Sequence, residues 1–352
     1  MTKFLEESNI IIILLVLVVS LIILSKSADL LVENAVKLSK IWRLPEIVIG
    51  ATIVSLGTTL PELSASVVSS SQGNASFALG NAVGSIITNT SLIVGVSALF
   101  GKIPVDRKSS QKLSLLIAAV FLMILPTFAY KMKGDSGIIP QWMGIIFLLL
   151  IPVYTFFLIH QEKLNQEKIN NINSIHQEKV QDKKKLTNAK DEKKESIRGI
   201  TLIFVKIVIA ALFIAVSSSG LVGSAEVLAE KIGIPDVVIA STLVAFGTSV
   251  PELSTCISAA KKNYGGLALG NIMGANILNI LLVVGAAAAI APGGVSIAQE
   301  FYNVHFIALG IIVSFFGFFA YNSRYDEISK KEGIMLIGIY GVYLGANFVI
   351  GM

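Results

Sequence analysis

The sequence predicts an all-α polytopic membrane protein in which ten transmembrane helices form two inverted five-helix repeats. Three observations predict it. The 352 residues are 54% hydrophobic and 14% charged, with a mean hydropathy of +0.76, far above the soluble globular range. The apolar residues gather in blocks of about 20, the length that crosses a bilayer as helix, and not in the short alternating segments of a membrane barrel. Residues 45–95 realign with residues 235–285 at a constant shift of 190, without a gap and with 21 of 51 positions identical. Five spans precede and five follow the midpoint, and five is odd, so the second copy must cross in the opposite sense.

The spans read, in order, 8–26, 45–72, 76–100, 112–131, 139–160, 199–222, 235–260, 266–291, 301–322 and 333–351. The first is flanked by Glu6 and Glu7, and no small-residue cleavage site follows Leu24, so it is a retained helix and not a signal peptide. The spans 45–72 and 76–100 carry the first copy of the repeat, and 235–260 and 266–291 the second. The aromatic run at 315–321 in the ninth span reads as a lipid-facing or interfacial anchor. Between the halves, residues 161–198 repeat "QEK" and hold 17 of the 51 charged residues, which marks a solvated linker, partly helical or disordered. Its composition also suits contact with anionic membrane lipid. The chain therefore divides into a first repeat (1–160), a charged loop (161–198) and a second repeat (199–352). With the N-terminus outside, inner segments carry thirteen Lys and Arg, among them Lys26, Lys37, Lys40 and Arg43, against four outside. That bias puts the 161–198 loop in the cytoplasm and both termini outside, in the cell membrane.

Composition also removes function classes. One cysteine, Cys256, rules out an internal disulfide framework. The three histidines are scattered, which leaves no zinc or haem ligand set and no resident cofactor. The basic pI of about 9.1 is explained by cytoplasmic lysines, so no nucleic-acid partner is expected. No nucleophile stands beside a base, so the chain is not expected to be an enzyme.

The chemistry concentrates in "GTTLPEL" at 57–63 and "GTSVPEL" at 247–253. Pro61 and Pro251 have no N–H to give, so they free the carbonyls of Gly57 and Gly247 inside a span. Such backbone survives in a membrane only where it is buried in protein or lines a cavity. Each proline precedes a glutamate, Glu62 or Glu252. Ser55, Thr58, Thr59 and Ser66 share a helix side with the first, and Thr248, Ser249 and Thr255 with the second. The following span of each copy adds Asn81, Ser85 and Asn89, or Asn271, Ala275 and Asn279, at intervals of four. Carboxylate, amide, hydroxyl and carbonyl oxygens suit hard cations such as Ca²⁺ or Na⁺. A lone charged carboxylate at a helix centre costs about 2.5 kcal/mol or more, so a mobile cation is the expected partner. The glycines Gly80, Gly84, Gly270 and Gly274 form small-xxx-small patterns and read as helix packing.

"GATIVSLGTTLPELSASV" with "ALGNAVGSIITN", and "ASTLVAFGTSVPELSTCI" with "ALGNIMGANILN", resemble the paired alpha-repeats of the sodium/calcium exchanger family, in its prokaryotic form. The resemblance implies Ca²⁺ export driven by Na⁺ entry. It implies Glu62 and Glu252 as chief Ca²⁺ ligands, assisted by Thr58 and Thr248. It implies Na⁺ positions lined by these four residues with Ser55, Thr59, Ser85, Asn89, Ala245, Ser249 and Asn279. It further implies alternating access in which the first helix of each repeat slides over an eight-helix core, with one subunit sufficient for transport.

Two departures bear on this. Some relatives, including potassium-dependent ones, carry aspartate where this chain has Asn279, and Ala275 lacks the hydroxyl of Ser85. Two carboxylates match one Ca²⁺ or two Na⁺ in charge, and a third Na⁺ would make exchange electrogenic. Proton-driven relatives place an acidic residue where Gly84 and Gly274 stand, which disfavours proton coupling here. Proton- or other cation-coupled Ca²⁺ exchange stays open as an alternative, and a cation channel using the same oxygens stays open behind it.

Overall fold

The computed structural model describes residues 5–105, 107–131, 137–178, 197–231, 245–322 and 326–350. Its first helix, α1 (Ile10–Trp42), is 33 residues long and extends about 50 Å at 1.5 Å per residue. Lys26, Lys37 and Lys40 are therefore helical, where the sequence reading put them in a short loop. No helix breaker stands between Ser25 and Trp42, and Leu31, Val32, Ala35, Val36 and Leu38 supply a buried stripe that continues past the charges. Arg43 ends the helix in the left-handed region, φ 53°.

The second span is broken. Helix α2 (Glu46–Thr58), with a π-turn over Gly50–Val54, meets α3 (Leu60–Ser71) at an angle of 45°. Pro61 sits in the first turn of α3, where a missing N–H costs nothing. Helix α4 (Ala75–Phe100) follows, with a π-turn over Asn89–Ile93. Then come strand β1 (Ile103–Pro104), helix α5 (Arg107–Lys131), strand β2 (Gly137–Ile139) and helix α6 (Gln141–Glu178). Helix α6 continues well beyond the expected span end at 160, because the Gln- and Glu-containing stretch "HQEKLNQEK" has no helix breaker. Residues 179–196 of the charged loop lie outside the described residues, and Ile197 and Arg198 already belong to the next helix.

The second half retraces this plan. Helix α7 (Ile197–Lys231) lies along α1. Residues 232–244, most of the expected seventh span's first half, lie outside the described set; α8 (Ala245–Gly247) and α9 (Val250–Lys261) complete that span, with Pro251 in the first turn of α9. Helix α10 (Gly265–Ile290) carries a π-turn over Asn279–Val284. Strand β3 (Val295–Ile297), helix α11 (Phe306–Asn322) behind a π-turn at Phe301–His305, strand β4 (Glu327–Ile328) and helix α12 (Lys330–Ile350) close the chain.

Among the described residues six helices are long and apolar enough to cross a membrane, seven if α2 and α3 count as one bent span. Of the other expected spans, α5 supplies a shorter apolar stretch, Leu113–Phe128. The ninth span divides its aromatics: Phe315, Phe318 and Tyr321 face outward, but Phe316 and Phe319 are buried. Only one side of the "FFGFFAY" run is thus an outward-facing surface, since a helix turns its neighbours 100° apart.

Burial orders the layers. The windows of α4 and α10 are 72% and 83% buried, against 22% and 28% for α1 and α7, so α4 and α10 form the centre and the long pair lies outside it. Elements are exchanged between the halves. Strand β1 pairs antiparallel with β4, and β2 with β3. Helix α12 packs on the end of α4, and α6 on the end of α10.

Candidate ion-binding site

The two chain breaks place their glutamates at the middle of this core. Thr59 and Ser249, the residues before α3 and α9, have nearly matching backbone angles (φ −82°, ψ −4° and φ −89°, ψ 3°). Each opens its helix alike: Leu63 N–H bonds the Thr59 carbonyl and Leu253 N–H the Ser249 carbonyl, both at 3.0 Å. Glu62 and Glu252 then fall one turn in, both 0% exposed.

Cross-links between the halves hold the breaks in place. Thr58 Oγ1 donates to Asn271 Oδ1 at 3.2 Å, and its counterpart Thr248 Oγ1 donates to Asn81 Oδ1 at 3.1 Å. Asn81 Nδ2 in turn donates to Ser66 Oγ at 3.2 Å and to the Glu62 carbonyl at 3.4 Å. Asn271 Nδ2 reaches Cys256 Sγ at 3.5 Å, and Cys256 is the counterpart of Ser66. Asn81 and Asn271 thus brace the breaks. Ser249 Oγ meets Ser85 Oγ at 3.4 Å, joining two more of the expected site residues.

Of the carbonyls freed by proline, one already has a hydrogen-bond partner. The Gly247 carbonyl accepts from Ser218 Oγ on α7 at 3.4 Å. At the same shift of 190 the residue opposite Ser218 is Ala28, which has no hydroxyl, so the halves differ at this point.

The remaining donors define the site. Both oxygens of Glu62, both of Glu252, Thr59 Oγ1, Asn89 Oδ1 and both side-chain atoms of Asn279 are buried without a hydrogen-bond partner among the described residues. Folded interiors leave few such groups, and Glu62 with Glu252 and Asn89 with Asn279 come from equivalent places in the two halves. Ser55, Ser85 and Ser249 are buried beside them. Ala245 belongs to α8, and its side chain lies outside the described residues. Among the described residues no three of His, Cys, Asp and Glu gather at one point. The donor set is two carboxylates with neutral oxygens, which suits a hard cation better than zinc.

The family described as sodium/calcium exchanger protein matches residues 12–160 and 202–349. The chain belongs to the sodium/calcium exchanger family. The sodium/calcium exchanger MaX1 of Methanosarcina acetivorans is 32% identical over 96% of this chain and 98% of its own. The inner membrane protein YrbG of Escherichia coli is 29% identical over 93% and 94%. Among solved structures, the sodium-calcium exchanger NCX_Mj soaked with 10 mM Na⁺ and zero Ca²⁺ has a TM-score of 0.75 at 25% identity, covering 96% of this chain and 99% of that one.

Within this exchanger fold the sequence reading missed one group. Asn276, 0% exposed on α10, accepts from Asn89 Nδ2 at 3.1 Å and donates to Thr90 Oγ1 at 2.7 Å. No repeat signal pointed to it, because Ile86 is its counterpart and Ile280 that of Thr90. The π-turns opening at Asn89 and Asn279 were equally silent in the sequence, yet such bulges recur at functional sites.

Proposed function

We propose that the protein is a secondary antiporter exchanging Na⁺ for Ca²⁺ by alternating access. The observation that carries this is the pair of buried, unpartnered carboxylates, Glu62 and Glu252, on equivalent helix breaks. Ca²⁺ is held by both, with oxygens of Thr58 and Thr248 assisting. Na⁺ takes the same carboxylates together with oxygens from Ser55, Thr59, Ser85, Asn89, Ala245, Ser249 and Asn279. Because the two ions share the carboxylates, they compete for them. The names of the relatives, and the Na⁺ soak of the NCX_Mj crystal, favour these cations.

The architecture of this reading is ten helices in two inverted repeats, 1–160 and 199–352, joined by the cytoplasmic 161–198 loop, with both termini outside. The exchanged strand pairs β1–β4 and β2–β3 and the crossed Thr–Asn bonds are what a two-fold axis in the membrane plane would produce. The outer pair α1 and α7 is the element that slides: the two helices run along each other and are far less buried than the central α4 and α10.

The deciding experiment is uptake of radiolabelled Ca²⁺ into proteoliposomes loaded with Na⁺, compared with K⁺, choline or a pH gradient. Uptake that requires internal Na⁺ is the expected result. Uptake driven by the pH gradient would move the protein to proton coupling, and indifference to every internal ion would make it a channel.

A further inference from the structure

Asn89 and Asn279 occupy equivalent positions, each opening a π-turn, and they differ in how they are held. The carboxamide of Asn276, buried between α4 and α10, bridges two residues of the opposite half. Its Nδ2 donates to Thr90 Oγ1 at 2.7 Å, and its Oδ1 accepts from Asn89 Nδ2 at 3.1 Å. With its nitrogen occupied, Asn89 turns its other end, Oδ1, away from Asn276, and no donor among the described residues meets that oxygen. Asn279 has no such brace. The residue in the place of Asn276 is Ile86, the residue in the place of Thr90 is Ile280, and both side-chain atoms of Asn279 are unpartnered.

An amide offers a cation only its oxygen, and its NH₂ end repels one. The reversed arrangement, with Asn276 donating to Asn89 Oδ1, would aim the Asn89 nitrogen at the cation and is disfavoured whenever one is bound. We infer that Asn276 is a positioning residue that locks Asn89 oxygen-inward and thereby sets the affinity of the Na⁺ position Asn89 lines, while Asn279 stays free to turn. This inference rests on the exchanger reading above. It makes the two halves unequal at the one pair of equivalent amides lining the site: a preset ligand on α4 and an adaptable one on α10.

The test uses the full-length protein and two readouts: Na⁺ concentration at half-maximal thermal stabilisation, and Na⁺ at half-maximal Ca²⁺ exchange in proteoliposomes. Asn276→Ala is expected to raise both Na⁺ concentrations about tenfold, the low end of what loss of an outer hydrogen-bond partner costs a metal ligand, with the maximal exchange rate little changed. Thr90→Val, close to isosteric, is expected to shift both in the same direction and carries the test if Asn276→Ala does not fold. In an Asn89→Ala background, Asn276→Ala is expected to add nothing, since its effect passes through Asn89. A normal Na⁺ response unchanged by Asn276→Ala and Thr90→Val would overturn the inference alone, and so would additive effects in the Asn89→Ala background. Absence of any Na⁺ response in the unmodified protein would overturn the exchanger reading and this inference with it.

Discussion

The hydroxyl of Thr58 donates to Oδ1 of Asn271 across 3.2 Å, joining residues 213 positions apart in the chain. The same bond recurs with the halves exchanged, from Thr248 to Asn81 at 3.1 Å. A chance contact would have no reason to recur between counterparts. Each helix break is therefore tethered by the central helix of the opposite half.

The glutamates give the sharpest prediction. Glu62→Gln and Glu252→Gln preserve shape and remove the charge, so each is expected to abolish Ca²⁺ exchange. A buried unpaired carboxylate costs about 2.5 kcal/mol or more in a membrane. Each variant is therefore expected to melt no lower than the parent in ion-free buffer and to lose the stabilisation that Ca²⁺ confers. Thermal melts with and without Ca²⁺, alongside flux, check this; substantial exchange in either variant would remove its glutamate from the site.

Close backbone approach gives the second. A Cβ on Gly270 would overlap the backbone of Ile47, and one on Gly274 that of Ala51 and the hydroxyl of Ser55. Gly270→Ala and Gly274→Ala are expected to destabilise by about 1–3 kcal/mol, the usual cost of overpacking, read as a lowered melting temperature. Gly341→Ala, on an exposed face of α12, is expected to be neutral. Equal effects at all three would mean that α2 and α10 do not pack as closely as described.

Third, Asn279→Asp adds a charge to the position where both side-chain atoms are unpartnered. The site would pass from two carboxylates to three, and divalent cations gain twice as much as monovalent ones from each added charge. More Na⁺ is then expected to be needed to displace Ca²⁺, or K⁺ is expected to enter the exchange. Competition curves for Ca²⁺ uptake against Na⁺ and K⁺ measure both. Unchanged curves would place Asn279 outside the ion site.

What the sequence made legible follows from what repeats in it. Pro61 with Glu62 and Pro251 with Glu252 stand at a shift of 190, so the breaks, their glutamates and the amide-bearing helices behind them could be read directly. Gly270 and Gly274 were legible as packing residues, whereas Gly80 and Gly84 make no such close approach among the described residues. Features that break the repeat were not legible. Asn276 stands opposite Ile86 in the alignment, and Ser218, which donates to the Gly247 carbonyl, lies outside the aligned 235–285 stretch. Helix ends were misread for another reason. Hydropathy reports where the uninterrupted apolar run ends, at Lys26, whereas the backbone of α1 continues to Trp42 because its next turns bury Leu31, Val32 and Leu38 in protein.

That extension of α1 carries the last prediction. Lys262, just beyond α9, lies 2.8 Å from Glu33 Oε1 and 3.1 Å from Asp29 Oδ1 on α1, and Ser258 Oγ donates to Asp29 at 2.6 Å. At the same shift of 190 the residues opposite Asp29, Glu33 and Lys262 are Ser219, Gly223 and Gln72, which carry no charge to form the same tie. Burial would lower the Lys262 pKa, but hydrogen bonds and attraction from Glu33 and Asp29 outweigh it and hold the ammonium above the ordinary lysine value. A raised lysine contributes fully below its ordinary pKa and loses its contribution only as pH rises through the raised one. The tie is therefore expected to keep constant strength from the lysine side through neutral pH and to weaken only in strong alkali. Its partners are partly exposed, which limits its stabilisation to about 1 kcal/mol or less. If α1 slides past α9 during transport, Lys262→Gln is expected to change the exchange rate severalfold while leaving the half-saturating Ca²⁺ and Na⁺ concentrations where they were. Initial-rate measurements across ion concentrations separate the two quantities, and a variant altered only in ion affinity would show that this contact belongs to the site and not to the moving element.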